Sequence, residues 1–371
     1  MSLRVAIDAT PLLVRSAGVK GYIWHWIQAM RSRAGPSAIT AFPFMGALPP
    51  LRHDQSVYRL AGTIPRIAAL HSSNKIPGVL DLLSRRASVF HSSNQVRRKP
   101  AHCRLTATLH DLTSWSHASQ HLTSTIRLDF DFAECILKQA DALIAVSDNT
   151  RRDAIEYLGI DPNKIRRIYS GVPAAYFSVT TSQIEAARTA LALIKPYVLY
   201  VGTIEPRKNL DRLLAAWSTL PGDLLSEREL IIAGPYGWGS EATLARLHSD
   251  LKGVRYLGYV GEEHLPGLTA GALITAYPSL YEGFGFPVVQ SMAAGVAVLT
   301  SNTSCLPEVA GDGAIYVDPL STGEIAEALK LLLTSPTLRD HLGTAGRLRA
   351  ARYSWDRCAE ESIQFFEELS G

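Results

Sequence analysis

The sequence has no stretch suited to a membrane anchor or an export signal. None of its apolar runs approaches the ~20 residues that a membrane-spanning helix needs. Asp8 interrupts the apolar stretch near the start, so that stretch does not have the layout of a signal peptide. We therefore expect a cytoplasmic protein.

Cysteine is scarce and shows no pattern. The four cysteines lack the short spacings of a metal site, so free thiols in a reduced compartment are expected. They are Cys103, Cys135, Cys305 and Cys358. A G-x-G-x-x-G motif is also missing, which disfavours a nicotinamide cofactor. The strand-end loops described below contain no Asp-x-Asp pair that would suggest a metal.

Charge is unevenly distributed along a chain of ordinary globular composition. The 371 residues are 47% hydrophobic and carry a net charge of +3. This length exceeds the roughly 250–300 residues at which single cores stop growing, which favours two domains. Residues 1–176 have 22 Lys and Arg against 12 Asp and Glu, a net +10, and residues 177–371 have a net −7. A basic half suggests an anionic partner, but an ordinary solvated surface explains it equally well.

Short apolar runs alternate with helical patterns in two successive series. This alternation is typical of α/β domains with helix-covered parallel sheets, and two series predict two doubly wound, Rossmann-like domains. We place them at 1–176 and 195–352, with a connector at 177–194 and a last helix at 353–371. Ligands of such sheets bind beyond the carboxyl ends of the strands, so we expect a site in a cleft between the two domains.

Three strand ends of the first domain carry candidate residues. In "RSAGVKGY", Gly18 and Lys20 precede a helix and outline an anion site, although an ordinary turn fits equally well. In "TLHDLT", His110 and Asp111 end a strand, and His91 has the same placement in "VFHSSN". Either histidine can exchange a proton near neutrality. The alternative for each is a structural histidine satisfied by loop backbone.

Two strand ends of the second domain give sharper signals. "YVGTIEPRKNL" ends a strand at Gly202 and places Arg207 beside Lys208, and two adjacent cations suit a diphosphate. "YEGFGFPVVQSMAAG" places Glu282 before a glycine-rich turn and Gln290 about one turn into the next helix. Glu282 and Gln290 could hold one extended ligand at two points.

These segments together resemble the retaining glycosyltransferases of family 4, which have the GT-B fold. The resemblance covers nearly the whole chain, including "AVSDNTRRD", "YLGYV" and "LPEVAGDGAIYVDP". The family hallmark is a glutamate repeated after seven residues. Here Glu282 supplies the first position, and Gln290 replaces the second glutamate. The resemblance also implies that the final helix, after "YSW", returns to pack on the first domain.

The resemblance implies roles for these positions. Glu282 would contact hydroxyls of the donor sugar, while Arg207 and Lys208 would hold the diphosphate. Gln290 would bind the ribose, and His110 would lie at the reacting sugar. The other implied donor-binding residues are Gly18, Gly202, Thr203, Val260, Gly283, Phe284, Gly285 and Phe286. Lys20, His91 and Asp111 are expected on the acceptor side.

The implied reaction is transfer of a sugar from a nucleoside-diphosphate sugar to a glycan or lipid-linked acceptor. "VGTIEPRKN" looks most like members that use GDP-mannose, so mannosyl transfer is the first hypothesis, without metal or other cofactor. A UDP-sugar transferase or epimerase, or a non-catalytic nucleotide-sugar-binding module, stays open. We expect no nucleic-acid partner, and a peripheral contact of the basic first domain with an anionic membrane.

Overall fold

The computed structural model describes residues 3–15, 18–249 and 251–370, which form two compact units. The first unit contains residues up to Gly171 together with those from Ser354 onward, and the second contains Val172–Tyr353. The segment 177–194, which we predicted as a connector, lies within the second unit. Ser16 and Ala17, in the loop that we predicted as an anion site, lie outside the described residues.

The first unit contains a six-stranded parallel sheet in the order β2-β1-β3-β4-β5-β6. Its strands are β1 (Val5–Asp8), β2 (Ile39–Phe42), β3 (Val89–Ser92), β4 (Arg104–Leu109), β5 (Ala142–Ala145) and β6 (Ile165–Arg167). Its helices up to β6 are α1 (Gly18–Ala34), α2 (Leu60–Lys75), α3 (Val79–Ser84), α4 (Thr113–Ser116), α5 (Thr123–Phe132) and α6 (Asp148–Leu158). All residues of β1, β3 and β5 are buried, as expected for strands covered on both faces.

The second unit repeats this plan with the strand order β12-β11-β10-β7-β8-β9. Its strands are β7 (Tyr197–Val201), β8 (Glu229–Ala233), β9 (Val254–Gly258), β10 (Ile274–Tyr277), β11 (Ala297–Ser301) and β12 (Ala314–Val317). Its helices are α7 (Thr181–Ala190), α8 (Leu210–Ser218), α9 (Gly222–Glu227), α10 (Glu241–His248), α11 (Leu265–Ala270), α12 (Phe286–Ala293), α13 (Leu306–Ala310), α14 (Thr322–Thr334) and α15 (Pro336–Ala350). Every strand pair is parallel, so the predicted fold class is confirmed.

The last helix, α16 (Trp355–Ser370), belongs to the first unit. It packs along α1, where the Trp26 indole N–H donates to the Ser362 hydroxyl at 2.9 Å. The Trp26 and Phe366 rings lie 6.0 Å apart, and Arg33 pairs with Glu360 at the surface. The chain therefore leaves the first unit after β6 and returns to it only at its end, as the resemblance implied.

Local signals located most elements but missed one strand. Ser147 caps α6 by accepting a hydrogen bond from the Thr150 backbone N–H at 3.0 Å, and Gly159 ends that helix in the left-handed region. The strand β2 was not predicted. It is four residues long, it precedes a proline and it pairs with β1 alone. Its length does not distinguish it, since β1 is equally short, but the proline that follows it directly is typical of a turn.

Candidate active site

The candidate site of the second unit begins where β7 and β8 end side by side. The Gly202 backbone N–H donates to the Ala233 carbonyl at 2.9 Å, and the next residue, Gly234, has φ of 143°. A Cβ atom at Gly234 would lie 2.0 Å from the Gly202 oxygen, so only glycine permits this approach. A Cβ at Gly237 would likewise lie 2.7 Å from a Thr203 side-chain carbon. The two loops therefore form one closely packed edge.

Arg207 and Lys208 lie on a short 3-10 turn, Pro206–Lys208, that follows this edge. The loop after β10 is tied to the turn, because the Leu280 N–H donates to the Arg207 carbonyl at 2.9 Å. Asn209 strengthens the connection by donating its side-chain amide to the carbonyls of Pro278 and Pro319, at 2.8 and 2.7 Å. Asn209 occupies the N-cap position of α8, but its side chain makes no capping hydrogen bond to that helix and joins two loops instead.

Glu282 ends the β10 loop, and four donors from separate residues hold its carboxylate. Lys208 Nζ lies 2.6 Å from Oε1, which also accepts from the hydroxyls of Tyr277 and Ser279 at 2.8 and 2.7 Å. Arg207 Nη1 lies 3.2 Å from Oε2. The Glu282 backbone N–H donates to the Ser304 hydroxyl at 3.1 Å. These contacts fix both the position and the orientation of the carboxylate.

The site is a buried group of opposite charges. Glu282 is 7% exposed, and the side chains of Arg207 and Lys208 are 11% and 12% exposed. Burial raises the pKa of Glu282, but the charges of Lys208 and Arg207 outweigh it and lower that pKa to about 2. Glu282 is therefore an anion throughout the physiological pH range. A buried carboxylate kept ionised by two cations can interact strongly with a ligand that carries charge.

The glycine-rich turn leads directly from Glu282 into α12. Gly285 has φ of 82°, which favours glycine, and occupies the cap position of α12 beside the Leu306 side chain. Phe284 is buried edge-to-face against Phe286 and Tyr353, with ring centroids 5.2 and 5.6 Å away. Gln290 is half-buried in the second turn of α12. The structure thus places Glu282 at the start, and Gln290 within the helix, of one continuous strand-turn-helix unit.

Val260, one of the residues that the resemblance implied for donor binding, follows β9. Its side chain is 7% exposed and belongs to the same apolar cluster as Tyr197, Leu199 and Leu268. The side chain is thus occupied by the core, and only the backbone remains for a ligand. The role itself stays a prediction.

In the first unit, Lys20 lies within the first turns of α1, which already begins at Gly18. Lys20 is 0% exposed, and its ammonium donates to the backbone carbonyls of Val14 and Gln55. Burial lowers its pKa to about 8, while Asp54 opposes that shift. We therefore infer that Lys20 stabilises the surrounding loops and does not bind an acceptor. Gly18 is exposed at the start of the helix, and no other group lies within 4 Å of the position that a Cβ would take there.

His91 also has a structural environment. It lies within β3, fully buried, with Nδ1 2.9 Å from the Thr106 hydroxyl and Nε2 3.0 Å from the Thr108 hydroxyl. Burial, together with the neighbouring His110, lowers the pKa of His91 to about 3, so its ring is neutral. Both ring nitrogens are used inside the sheet. The acceptor-side role that we predicted for His91 has no support from this arrangement.

His110 and Asp111 follow β4 at its carboxyl end, as predicted. The His110 ring packs edge-to-face on Tyr22, with centroids 4.8 Å apart. Burial lowers its pKa to about 4, although Asp111 opposes this shift, so the imidazole is neutral at pH 7. Asp111 accepts from the backbone N–H and the hydroxyl of Thr113, at 3.2 and 2.7 Å, and so fixes the turn that begins α4. These bonds give Asp111 a clear structural use.

Sequence reasoning missed four residues that shape the site: Glu205, Tyr277, Ser279 and Ser304. Each lies at or just beyond the carboxyl end of a strand, and that position was the available signal. Only Ser304 reaches Glu282 from another loop, 22 residues away in sequence. The bonds of Glu205, Tyr277 and Ser279 are local, but they depend on how the loops after β7 and β10 turn, which residue types alone do not reveal. Among residues 3–15, 18–249 and 251–370, no group of three or more His, Cys, Asp or Glu side chains is arranged to hold a metal ion.

Sequence relatives identify the family of the chain. Residues 29–176 match the family described as "Glycosyltransferase Family 4", and residues 183–349 match "Glycosyl transferases group 1". The "O-antigen chain mannosyltransferase B" of Escherichia coli is 30% identical over 269 residues, which are 72% of this chain and 71% of that protein. The chain belongs to glycosyltransferase family 4.

Solved structures of low sequence identity share the GT-B fold with this family 4 chain. Sucrose-phosphate synthase from Thermosynechococcus elongatus superposes with a TM-score of 0.74 at 19% identity, over 99% of both chains. HepE from Anabaena, in complex with UDP-glucose, superposes with a TM-score of 0.73 at 17% identity, over 98% of this chain and 99% of that one. Among the described helices of the family 4 chain, none is both long and apolar enough to cross a membrane.

Proposed function

We propose that the protein transfers a sugar, with mannose from GDP-mannose as the first candidate, to a glycan or lipid-linked acceptor in surface polysaccharide synthesis. The observation that carries this proposal is the contact of Glu282 with Arg207 and Lys208 at adjacent strand ends of the second unit. The name of the E. coli relative, an O-antigen chain mannosyltransferase, supports the choice of mannose and of polysaccharide synthesis. HepE, whose structure was solved with UDP-glucose bound, keeps a UDP-sugar donor as the alternative.

The proposed chemistry uses the charges of the site. When the bond between sugar and diphosphate breaks, negative charge grows on the leaving oxygen and positive charge on the sugar. Lys208 would stabilise the former, together with the N-terminal end of α12. No metal is invoked in this proposal. Glu282, kept ionised by its neighbours, would stabilise the sugar as positive charge develops.

Retention of anomeric configuration is part of the proposal and follows from family membership. His110, neutral at pH 7, is proposed to contact the transferred sugar by donating or accepting a hydrogen bond. Gln290 is proposed to accept a hydrogen bond from a ribose hydroxyl through its side-chain carbonyl. For the backbone of Gly18, Gly202, Thr203, Val260 and residues 283–286 we propose donor contact.

We also propose a peripheral contact of the first unit with an anionic membrane. Only some of the basic residues of this unit are available for such a contact. Arg98 donates to the Asn74 carbonyl at 2.8 Å, and Arg97 donates to the carbonyls of Asn94 and Leu128, so both hold loops in place. Arg85 and Arg86 instead line a depression of about 950 Å³.

This depression combines positive charge with exposed apolar side chains. Arg4 joins Arg85 and Arg86 in its lining, and among the described residues no carboxylate forms an ion pair with these three guanidinium groups. Phe44 and Leu82, also in the lining, are 62% and 60% exposed. Cations beside exposed apolar groups suit the headgroup region of an anionic bilayer, where each basic residue contributes about 1 kcal/mol.

The test of the transferase proposal is a donor panel. GDP-mannose, GDP-fucose, UDP-glucose and UDP-galactose are compared by thermal shift, and the stabilising compounds are then assayed for release of free nucleotide. We expect GDP-mannose to stabilise the protein most and to be hydrolysed slowly without an acceptor. Hydrolysis of UDP-glucose alone would select the alternative donor class. Binding without turnover of any donor, including in acceptor-containing membrane extracts, would favour the non-catalytic module.

A further inference from the structure

Arg207 bridges two buried carboxylates. Its Nη2 atom lies 2.8 Å from Oε1 of Glu205, which is 5% exposed, and its Nη1 atom lies 3.2 Å from Oε2 of Glu282. Nη1 also donates to the Tyr281 carbonyl at 2.7 Å. The planar guanidinium is therefore fixed from both ends, and turning it toward a new partner would break several charge-assisted bonds at once.

Lys208 is held in a different way. Its Nζ atom contacts Oε1 of Glu282 at 2.6 Å and lies 5.5 Å from the centre of the Tyr277 ring. An ammonium group is a point charge on a flexible stem, so it can change partner by rotating bonds of its own side chain. After such a change, Oε1 of Glu282 would still accept from the hydroxyls of Tyr277 and Ser279.

We propose that Glu205 is a positioning residue that keeps Arg207 on Glu282, and that Lys208 is the cation that leaves Glu282 to bind the diphosphate of the donor. This inference rests on the proposed function and assigns different tasks to the two cations. Glu205 acts through Arg207 and touches no substrate.

Arg207 and Lys208 have different tasks for an electrostatic reason. The charged and titratable groups that surround Glu282 are Arg207, Lys208, Tyr277, Tyr200, Cys305 and, beyond Arg207, Glu205. Once Lys208 has turned to the diphosphate, Arg207 is the remaining cation in contact with the Glu282 carboxylate. Arg207 must then keep Glu282 ionised while the sugar reacts, and Glu205 keeps Arg207 in place to do so.

The test compares Glu205→Gln with Glu229→Gln in the full-length protein with GDP-mannose. Glu229, the first residue of β8 in the same unit, is a matched control, because it also pairs with an arginine, Arg255, at 3.5 Å. Donor affinity is measured by calorimetry, and turnover by release of GDP without acceptor. We expect Glu205→Gln to lower kcat about tenfold or more while the donor Kd stays within about twofold, and Glu229→Gln to change neither.

The pH dependence of kcat gives a second readout that a merely structural role would not move. Because kcat reports ionisation in the donor complex, its acid limb follows Glu282 after Lys208 has moved. Removing the charge of Arg207 raises the pKa of Glu282, so Arg207→Gln should begin to lose activity at a higher pH, by about one unit. The same variant should bind GDP-mannose within about twofold of the wild type.

The outcomes distinguish failure of this inference from failure of the proposed function. Failure of the wild type to bind any nucleotide sugar would overturn the proposed function and this inference together. Normal wild-type binding and turnover, with Glu205→Gln unchanged in kcat, would overturn the role of Glu205 alone. A tenfold loss of donor affinity in Arg207→Gln, without a shift of the acid limb, would show that Arg207 binds the diphosphate and does not stay on Glu282.

Discussion

Lys208 places its ammonium 2.6 Å from Oε1 of Glu282, joining a cation proposed for the donor phosphate to the carboxylate proposed for the donor sugar. Each group satisfies the charge of the other in a buried site, which avoids the large cost of an uncompensated charge. Donor binding would then exchange one ion pair for another. This contact links affinity and turnover, and the predictions below separate them.

Replacing Glu282 by glutamine should lower turnover more than donor affinity. The negative charge is proposed to act when positive charge develops on the sugar, so its loss affects the transition state most. Steady-state kinetics and calorimetry with GDP-mannose measure the two effects. Thermal unfolding is recorded in parallel, because removing one member of a buried ion pair can cost about 3–5 kcal/mol. Wild-type turnover in a folded Glu282→Gln protein would contradict the role of Glu282.

Exchange of an amide for a carboxylate should matter much less at position 290 than at position 282. A glutamine carbonyl can accept a hydrogen bond from a ribose hydroxyl much as a carboxylate does, though less strongly. Gln290→Glu should therefore leave turnover nearly unchanged and keep or slightly tighten donor binding, while Gln290→Ala should weaken it. The three proteins are compared side by side with one donor. A rise in turnover by orders of magnitude in Gln290→Glu would mean that the natural protein is a weakly active member of its family.

Metal removal should have no effect on turnover. The proposal assigns stabilisation of the leaving diphosphate to Lys208 and the α12 N-terminus, with no task for a divalent ion. Release of GDP is measured before and after treatment with EDTA, and again after addition of Mg²⁺ or Mn²⁺. Activity that disappears in EDTA and returns with either ion would refute the metal-free proposal.

Membrane contact should depend on Arg85 and Arg86. Reversing both charges removes about 1 kcal/mol per residue of attraction to an anionic bilayer and adds repulsion. Co-sedimentation with phosphatidylglycerol-containing and with phosphatidylcholine vesicles, at low salt, compares Arg85→Glu/Arg86→Glu with Lys164→Glu/Lys330→Glu. The second pair changes net charge equally at two other exposed positions. We expect only the arginine pair to abolish binding to anionic vesicles. Equal partition of the wild type onto both vesicle types would contradict the contact.

The fold class could be predicted, because alternation of buried strands and helices is a local signal repeated along the chain. The edge strand β2 escaped, since Pro43 follows it directly and favours interpretation of the segment as a turn. Positions of site residues were also predictable, because Arg207 and Glu282 both follow strands. Their pairing was not, since it joins loops 74 residues apart or more. Lys20 is a position where the sequence pattern misled us. A lysine beside glycines suggested an anion site, but its side chain is fully buried and donates to backbone carbonyls.

The most direct test of the central claim is the affinity of Lys208→Ala for GDP-mannose, measured by calorimetry beside the wild type and Lys330→Ala, an exposed lysine of α14 in the same unit. A charge-assisted bond to a phosphate contributes about 1.5–3 kcal/mol, so we predict a loss of about ten- to a hundredfold for Lys208→Ala and none for Lys330→Ala. Unchanged affinity in a folded Lys208→Ala protein would contradict the diphosphate site on which the account depends.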